Sequence, residues 1–255
     1  MIEANAVYVI VAREFKKFIR EKSRLISTIA RPLVWLFLVG GGMSRLVPAG
    51  GGVSYMQFIF PGILGMTILF SSIFSSISII WDKEFGFMKE ILVAPISRFS
   101  VVIGKAMSGM VLSTLQAVII LCFFPFLGLK IGILPILGVI AVCMILSFAI
   151  AAFGILLASF YESYESFSVI MNFIVMPMFF LSGAMYPVKL MPSLLKLFTK
   201  INPLTYGVDA LKHLIFPLES GPMSPDFPLS VDISVIVAAA VIFVTIGGKA
   251  FEKQG

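Results

Sequence analysis

Few residues of this chain have the types and spacing that chemistry needs. Glu162 and Glu165 stand three apart, a spacing that sets two carboxylates on one helix face and could mimic an acid/base pair. No histidine or further acid lies near them, so they read as solvated groups or as partners of the basic N-terminal arm. His213 is the single histidine, and the sequence around it offers no Cys or His at ligand spacing, so it reads as structural. Ser44, in Gly42-Met43-Ser44, has no neighbouring His or Lys to activate it as a nucleophile. Gly247-Gly248-Lys249-Ala250 lacks both the preceding spacing and the hydroxyl of a phosphate-binding loop. Cys122 and Cys143 lie in apolar runs without metal or disulfide spacing. The expectation is no catalytic residue, no metal site and no bound cofactor; if ATP drives this protein, another polypeptide hydrolyses it.

The elements that would position these groups are long and greasy. Residues 106–129, 131–161 and 166–188 contain no Lys, Arg, Asp or Glu. A helix rises about 1.5 Å per residue, so roughly 20 apolar residues cross a hydrocarbon core about 30 Å thick. The whole chain is 59% hydrophobic and 13% charged, with a mean hydropathy of +1.07. The fold class expected is all-α, a polytopic membrane protein with spans near 27–46, 56–81, 104–128, 133–158, 165–186 and 230–249. The first span is the weakest, because Arg31 and Pro32 sit near its start and Arg31 must snorkel toward headgroups.

The net charge of +6 does not point to nucleic acid, because the basic residues are grouped beside the spans. The N-terminal arm, the loop after the second span and the C-terminal tail hold thirteen Lys and Arg, among them Arg13, Lys16, Lys17, Lys89, Lys105 and Lys253. The other loops hold six. The positive-inside rule then places both termini in the cytoplasm. The charges from Arg13 onward follow the apolar 7–12 run, the reverse of a signal peptide, so this segment is expected to stay on the mature chain.

Three non-spanning segments carry pattern. In the arm, Val11, Phe15, Phe18, Ile19, Ile26 and Ile29 recur at helical spacings, with Lys16, Lys17, Arg20 and Arg24 on other faces. This predicts an amphipathic basic helix on the inner leaflet, acting as a topology signal, as a grip for a cytoplasmic partner, or as both. Between spans two and three, 81–95 reads as a short helix stopped by Pro95, with Phe85, Met88, Ile91 and Leu92 on one face. Such a knob suits a groove on a partner; Ser97 caps the helix that follows. After span five, Pro192 and Asn202-Pro203 start two short helices, apolar enough to form a hairpin that dips into the outer leaflet.

Two stretches could line a passage. Ser71, Ser72, Ser75 and Ser76 make a small polar stripe on span two, suited to close helix packing or to a path. Met171, Met176, Met178 and Phe173 give span five an adaptable apolar surface. Ser72, Ser76, Met171 and Met178 are the candidate lining residues.

Three segments together resemble a known family. These are Arg13-Glu14-Phe15-Lys16-Lys17-Phe18 through Arg31-Pro32-Leu33, then Glu84-Phe85-Gly86 through Leu92-Val93-Ala94-Pro95-Ile96-Ser97-Arg98, and last Leu181-Ser182-Gly183 through Asn202-Pro203-Leu204-Thr205-Tyr206 with Val208-Asp209-Ala210-Leu211. In that order they are similar to the permease subunits of type-2 ATP-binding-cassette (ABC-2 type) exporters, over nearly the whole chain. Lys212 stands where Arg is commoner.

The resemblance implies one membrane domain over 1–255, with an arm at 1–26, a six-span region at 27–249 and a tail at 250–255. It further implies a homodimer in the cytoplasmic membrane of a prokaryote, working with two copies of a separate ATPase that carries ATP and Mg. The arm would be the interfacial helix. Glu84, Phe85, Gly86, Met88, Glu90, Ile91, Leu92, Pro95 and Arg98 would form the cytoplasmic coupling helix and its flanks. Leu181, Ser182, Gly183, Pro187, Asn202, Pro203, Tyr206 and Asp209 would form the outer re-entrant gate, and spans two and five would line the path. The wording of these motifs leans toward multidrug and antibiotic efflux, hence an apolar or amphipathic small molecule as cargo. Export of a lipid-linked polysaccharide or lipid is the alternative. From other classes, a lipid-modifying membrane enzyme would need converging polar groups that the sequence scatters, and a passive channel would use the same two spans.

Overall fold

A computed structural model describes residues 3–44, 54–86, 96–216 and 224–252, except the side chains of residues 23–25. All of its regular elements are helical. In chain order they are α1 (Ala4–Arg20), α2 (Lys22–Trp35), α3 (Tyr55–Glu84), α4 (Arg98–Leu121), α5 (Ile133–Ser159), α6 (Tyr164–Phe180), α7 (Ser193–Ile201), α8 (Pro203–Ile215) and α9 (Leu229–Glu252). Beyond Trp35, α2 widens into a π turn at Leu36–Gly40 and resumes over Gly41–Met43.

Five helical segments are long and apolar enough to cross a bilayer: Ile26–Met43, α3, α4, α5 and α9. The sixth expected span, α6, has 17 residues, which is about 25 Å of helix, at the short end for a crossing. It stops before residue 186 because Gly183 turns the chain with φ +74°, a conformation that suits glycine. The third span also differs from expectation. It begins at Arg98, where Ser97 Oγ accepts from the Ser100 amide as expected of a cap, and ends at Leu121 before a 3₁₀ turn at Phe124–Leu127 that contains Pro125.

The thirty-residue α3, about 45 Å long, is the central post of the bundle. Its apolar window is 83% buried, against 17% for α9, so α3 is enclosed by protein while α9 faces outward. A capping box sets the start of α3: Ser54 Oγ accepts from the Gln57 amide, and the Gln57 side chain accepts from the Ser54 amide. Small residues let α3, α4 and α5 approach closely. A Cβ on Gly109 would lie 2.6 Å from Ser75 Oγ and 2.7 Å from Ala151 Cβ, and one on Gly154 would lie 2.7 Å from Ser76 Oγ.

The arm does not present the face expected of it. Glu14 and Phe18 are buried and Ile10 packs against Gly104 of α4, whereas Tyr8, Val9, Ile19 and Ile26 are exposed. The apolar side of the arm is therefore divided between the bundle and its surroundings. The two short helices also part company. Leu194, Leu197, Phe198 and Ile201 leave exposed apolar surface along α7, but Leu204, Val208 and Leu211 of α8 are fully buried. Only α7 keeps the surface expected of a helix dipping into lipid, because α8 is taken up between α3, α5 and α9.

Candidate permeation site

At the end of the bundle where the arm lies, α1, α3 and α4 are joined by a buried ion cluster. Lys105 Nζ donates to Glu14 Oε1 at 2.8 Å, Asp82 Oδ2 at 2.7 Å and Ser78 Oγ at 3.0 Å. The Lys105 side chain is 4% exposed, and Arg13 adds a bond to Asp82 Oδ1 at 3.0 Å. Beside it, Lys83 Nζ donates to the carbonyls of Ala158, Ser159 and Tyr161, which are freed at the C-terminal end of α5. These contacts clamp both stems of the connection from α3 to α4. Spacing along the sequence counts Lys105 with the loop charges and does not join it to Asp82 or Glu14; Glu14, an acid within a basic arm, is the one signal of the cluster that the sequence carries.

The expected coupling segment is described only at its ends. Glu84 closes α3, Phe85 is 71% exposed, Gly86 turns the chain with φ +80°, and Arg98 opens α4. Met88, Glu90, Ile91, Leu92 and Pro95 lie outside the described residues. Glu162 and Glu165, on the neighbouring turn, are both exposed, as solvated carboxylates would be.

The residues expected to form the outer gate lie together at the opposite end of α3. Because Ser182 N bonds Phe179 O, the Met178 carbonyl is freed at the end of α6 and accepts from Asn202 Nδ2 at 2.7 Å. Asn202 Oδ1 meanwhile caps α8 at the Leu204 amide, 3.0 Å away, with Pro203 at the first helical position. Thr205 Oγ1 donates to Leu181 O, and Tyr206 OH donates to Lys200 O. Ser182 is buried, Pro187 precedes the 3₁₀ turn Val188–Leu190, and a Cβ on Gly183 would meet Val188 at 2.7 Å. The hairpin is tied to α3 by Tyr55 OH donating to Met185 O at 2.9 Å and by Gly62 lying directly against the Ala184 backbone.

Asp209 accepts from the Asp226 and Phe227 amides at 2.8 to 2.9 Å, which holds the segment before α9 against α8. Burial pushes the Asp226 carboxyl above its ordinary value. Asp209, His213 and Asp232 bring potential ligand atoms within 4.8 Å of one another. The Asp209 oxygens are already bonded to amides, His213 Nε2 lies 2.7 Å from Phe227 O, and Lys212 Nζ stands 4.0 Å from Asp209. Asp209 and His213 are thus engaged in hydrogen bonds, whereas Asp232 is fully buried, has no hydrogen-bond partner on either oxygen among the described residues, and stands 3.8 Å from His213 Nε2.

Between the two ends lies a cavity of about 280 Å³, walled by α2, α3, α4 and α6. Arg31, Thr67, Phe70, Ser71, Phe74 and Tyr164 are among its lining residues. Arg31 is exposed, and its guanidinium stacks over the Phe70 and Phe74 rings, 5.4 and 5.9 Å from their centres. The candidate lining residues mostly face elsewhere. Ser72 Oγ donates to Ser113 Oγ of α4 at 2.9 Å, and Ser76 packs against Gly154 of α5. Met171 is buried in the core, and Met178 borders a separate apolar crevice with Phe198 and Phe243. On α3 the residues that meet the cavity are offset by one position, Ser71 in place of Ser72.

The profile of the ABC-2 type transporter family matches residues 5–216. The chain is 32% identical to a protein of Cyanophora paradoxa named as transport permease ycf38, over 97% of this chain and 88% of that one. It is 28% identical to a protein of Escherichia coli K12 named as multidrug ABC transporter permease YbhR, over 64% of this chain and 44% of that one. It is also 26% identical to Nodulation protein J of Rhizobium meliloti, over 75% of this chain and 73% of that one.

Proposed function

Because this chain belongs to the ABC-2 type transporter family, as a multi-pass permease subunit working with an ABC ATPase, we propose that it moves an apolar or amphipathic small molecule out of a prokaryotic cell. In this reading two copies of the chain pair with two copies of the ATPase, which holds ATP and Mg, and both termini lie in the cytoplasm. The observation that carries it is the buried Lys105 cluster at the root of the connection from α3 to α4. A loop that merely linked two spans would need no such joint. A loop pressed by a moving partner does, since force on it must reach α1, α3 and α4 as one body.

The chain's own part is mechanical. A push on 84–95 is delivered through Asp82 and Lys105 to α3, and α3 bears on the hairpin through Tyr55 and Gly62. The hairpin then swings from the exit, and the cavity beside α3 changes its walls. Spans two and five, α3 and α6, border that cavity through Phe70, Ser71, Phe74 and Tyr164. Its mix of aromatic and hydroxyl groups suits an amphipathic cargo.

The test is co-purification with a nucleotide-binding subunit and ATP hydrolysis that needs both proteins. Alanine at Met88, Ile91 and Leu92 together is expected to leave the complex assembled and hydrolysing while export stops. Normal export by that variant would refute the coupling role. A purified chain that hydrolysed ATP unaided, or Lys89 labelled from outside intact cells, would refute the reading as a whole.

A further inference from the structure

Arg31 is a cation in an expensive place. Its guanidinium lies over Phe70 and Phe74, which stand about 21 and 15 Å along α3 from Glu84. If α3, about 45 Å long, is centred on a hydrocarbon layer about 30 Å thick, that position falls inside the layer, with Arg31 exposed at the side of the bundle. A charge there needs a counter-charge or water. Among the described residues Arg31 forms no ion pair; the buried carboxylates Glu14 and Asp82 are engaged by Lys105 and Arg13.

A second group is unmatched at the same cavity. Gln116 of α4 lines it, is 2% exposed, and has an Oε1 atom with no hydrogen-bond partner. A buried acceptor left open costs stability unless something donates to it. The cavity thus offers a guanidinium to an anion, an amide oxygen to a hydroxyl or protonated group, and the Phe70, Phe74 and Trp81 rings to an apolar body.

We propose that this cavity receives the anionic head of an amphiphile, so that the cargo carries a phosphate, sulfate or carboxylate group on an apolar body. The cargo half of this statement rests on the exporter reading above; the anion site does not. The cation fixes the class. A neutral or cationic drug would leave Arg31 uncompensated, whereas an anionic head supplies its missing partner, and a singly protonated phosphate can also donate a hydrogen bond to Gln116 Oε1.

The test uses the full chain with Trp35→Phe, which leaves Trp81 as its only tryptophan reporter, in a neutral maltoside detergent. Dodecyl phosphate is titrated against dodecanol and dodecyltrimethylammonium while Trp81 emission is followed. Saturable binding of dodecyl phosphate alone is expected, weakened about tenfold to a hundredfold by Arg31→Gln and largely kept by Arg31→Lys. The retained charge of the lysine variant, with a matching thermal unfolding midpoint, separates loss of the site from loss of the fold. Equal binding of all three amphiphiles, or an Arg31→Gln variant that binds as before, overturns the anion site. In nanodiscs, dodecyl phosphate is expected to bind in phosphatidylglycerol as in phosphatidylcholine. If phosphatidylglycerol abolishes its binding, the occupant is a bilayer lipid and the cargo assignment falls. Charge-dependent binding in a chain that supports no ATP-driven transport with its ATPase would instead sink the exporter reading and leave the site standing.

Discussion

Removing Lys105 tests whether the joint at the base of the bundle is real. Lys105→Met takes away a side chain that is 4% exposed and bonded at 2.7 to 3.0 Å to two carboxylates and a serine. What remains is Glu14 and Asp82, each no more than 10% exposed on its side chain, facing one another across the gap, with only the half-exposed Arg13 to offset them. Breaking a buried pair by deleting one partner costs about 3–5 kcal/mol, because the other charge is stranded. Here one deletion strands two acids, so the upper end of that range is expected. The triple change Lys105→Met, Asp82→Leu and Glu14→Leu removes the charges together and is expected to recover most of the loss, since an apolar replacement of a whole ion cluster is often neutral. Unfolding in mixed maltoside and dodecyl sulfate micelles, followed by far-ultraviolet circular dichroism, gives both differences. If Lys105→Met unfolds within about 1 kcal/mol of the parent, the cluster is not closed to water and the joint fails as an explanation. If the triple variant is no better than the single one, the penalty comes from packing and not from stranded charge.

Other perturbations give smaller, separable effects. Asn202→Ala removes both the cap of α8 and the partner of the Met178 carbonyl, for an expected loss of about 2–3 kcal/mol and faster proteolysis between α6 and α8. Ser72→Ala leaves Ser113 without its buried partner and is expected to cost about 1 kcal/mol; in a double-mutant cycle with Ser113→Ala the second change should add little. Gly154→Leu drives a side chain into Ser76 and the Ile73 backbone and is expected to cost about 1–3 kcal/mol in micelle unfolding, whereas Gly41→Leu, with open space at its Cβ position, should cost much less.

The helices of this fold were legible because lipid demands a simple code, an unbroken apolar run of sufficient length. Local chemistry was legible too: Ser97 and Asn202 cap the helices expected of them, as both rules depend on a few neighbouring residues. Contacts across the chain were not. Lys105 meets Glu14 from 91 residues away, and neither residue type distinguishes a buried partner from a solvated loop charge. The sequence shows the place of Arg31 along α2 but not the aromatic rings of α3 beside its guanidinium. The serine stripe misled by one position for a related reason. A run of small polar residues around a helix fits several faces, and the contacts of α4 and α5 decide which one remains open.

The two ends of the bundle are too far apart to communicate by contact, and α3 is the element that touches both. Its base is held by Asp82 in the ion cluster and by Lys83 on the end of α5, while its top is held by Tyr55 on the hairpin and by Gln57 on the Leu127 carbonyl. Between them Ser75 and Ser76 meet Gly109 and Gly154 at close range, while Ile63, Leu64, Ile68, Leu69 and Ile73 are fully buried among the neighbouring helices. Side chains seated in this way resist sliding of α3 past its neighbours, because each knob must leave its hole before the helix can shift. A helix gripped along its whole length moves together with the helices packed on it. Under the proposed coupling, a push at the base of α3 is carried to its top through this packed bundle, with the cavity beside Phe70 and Phe74 on its flank.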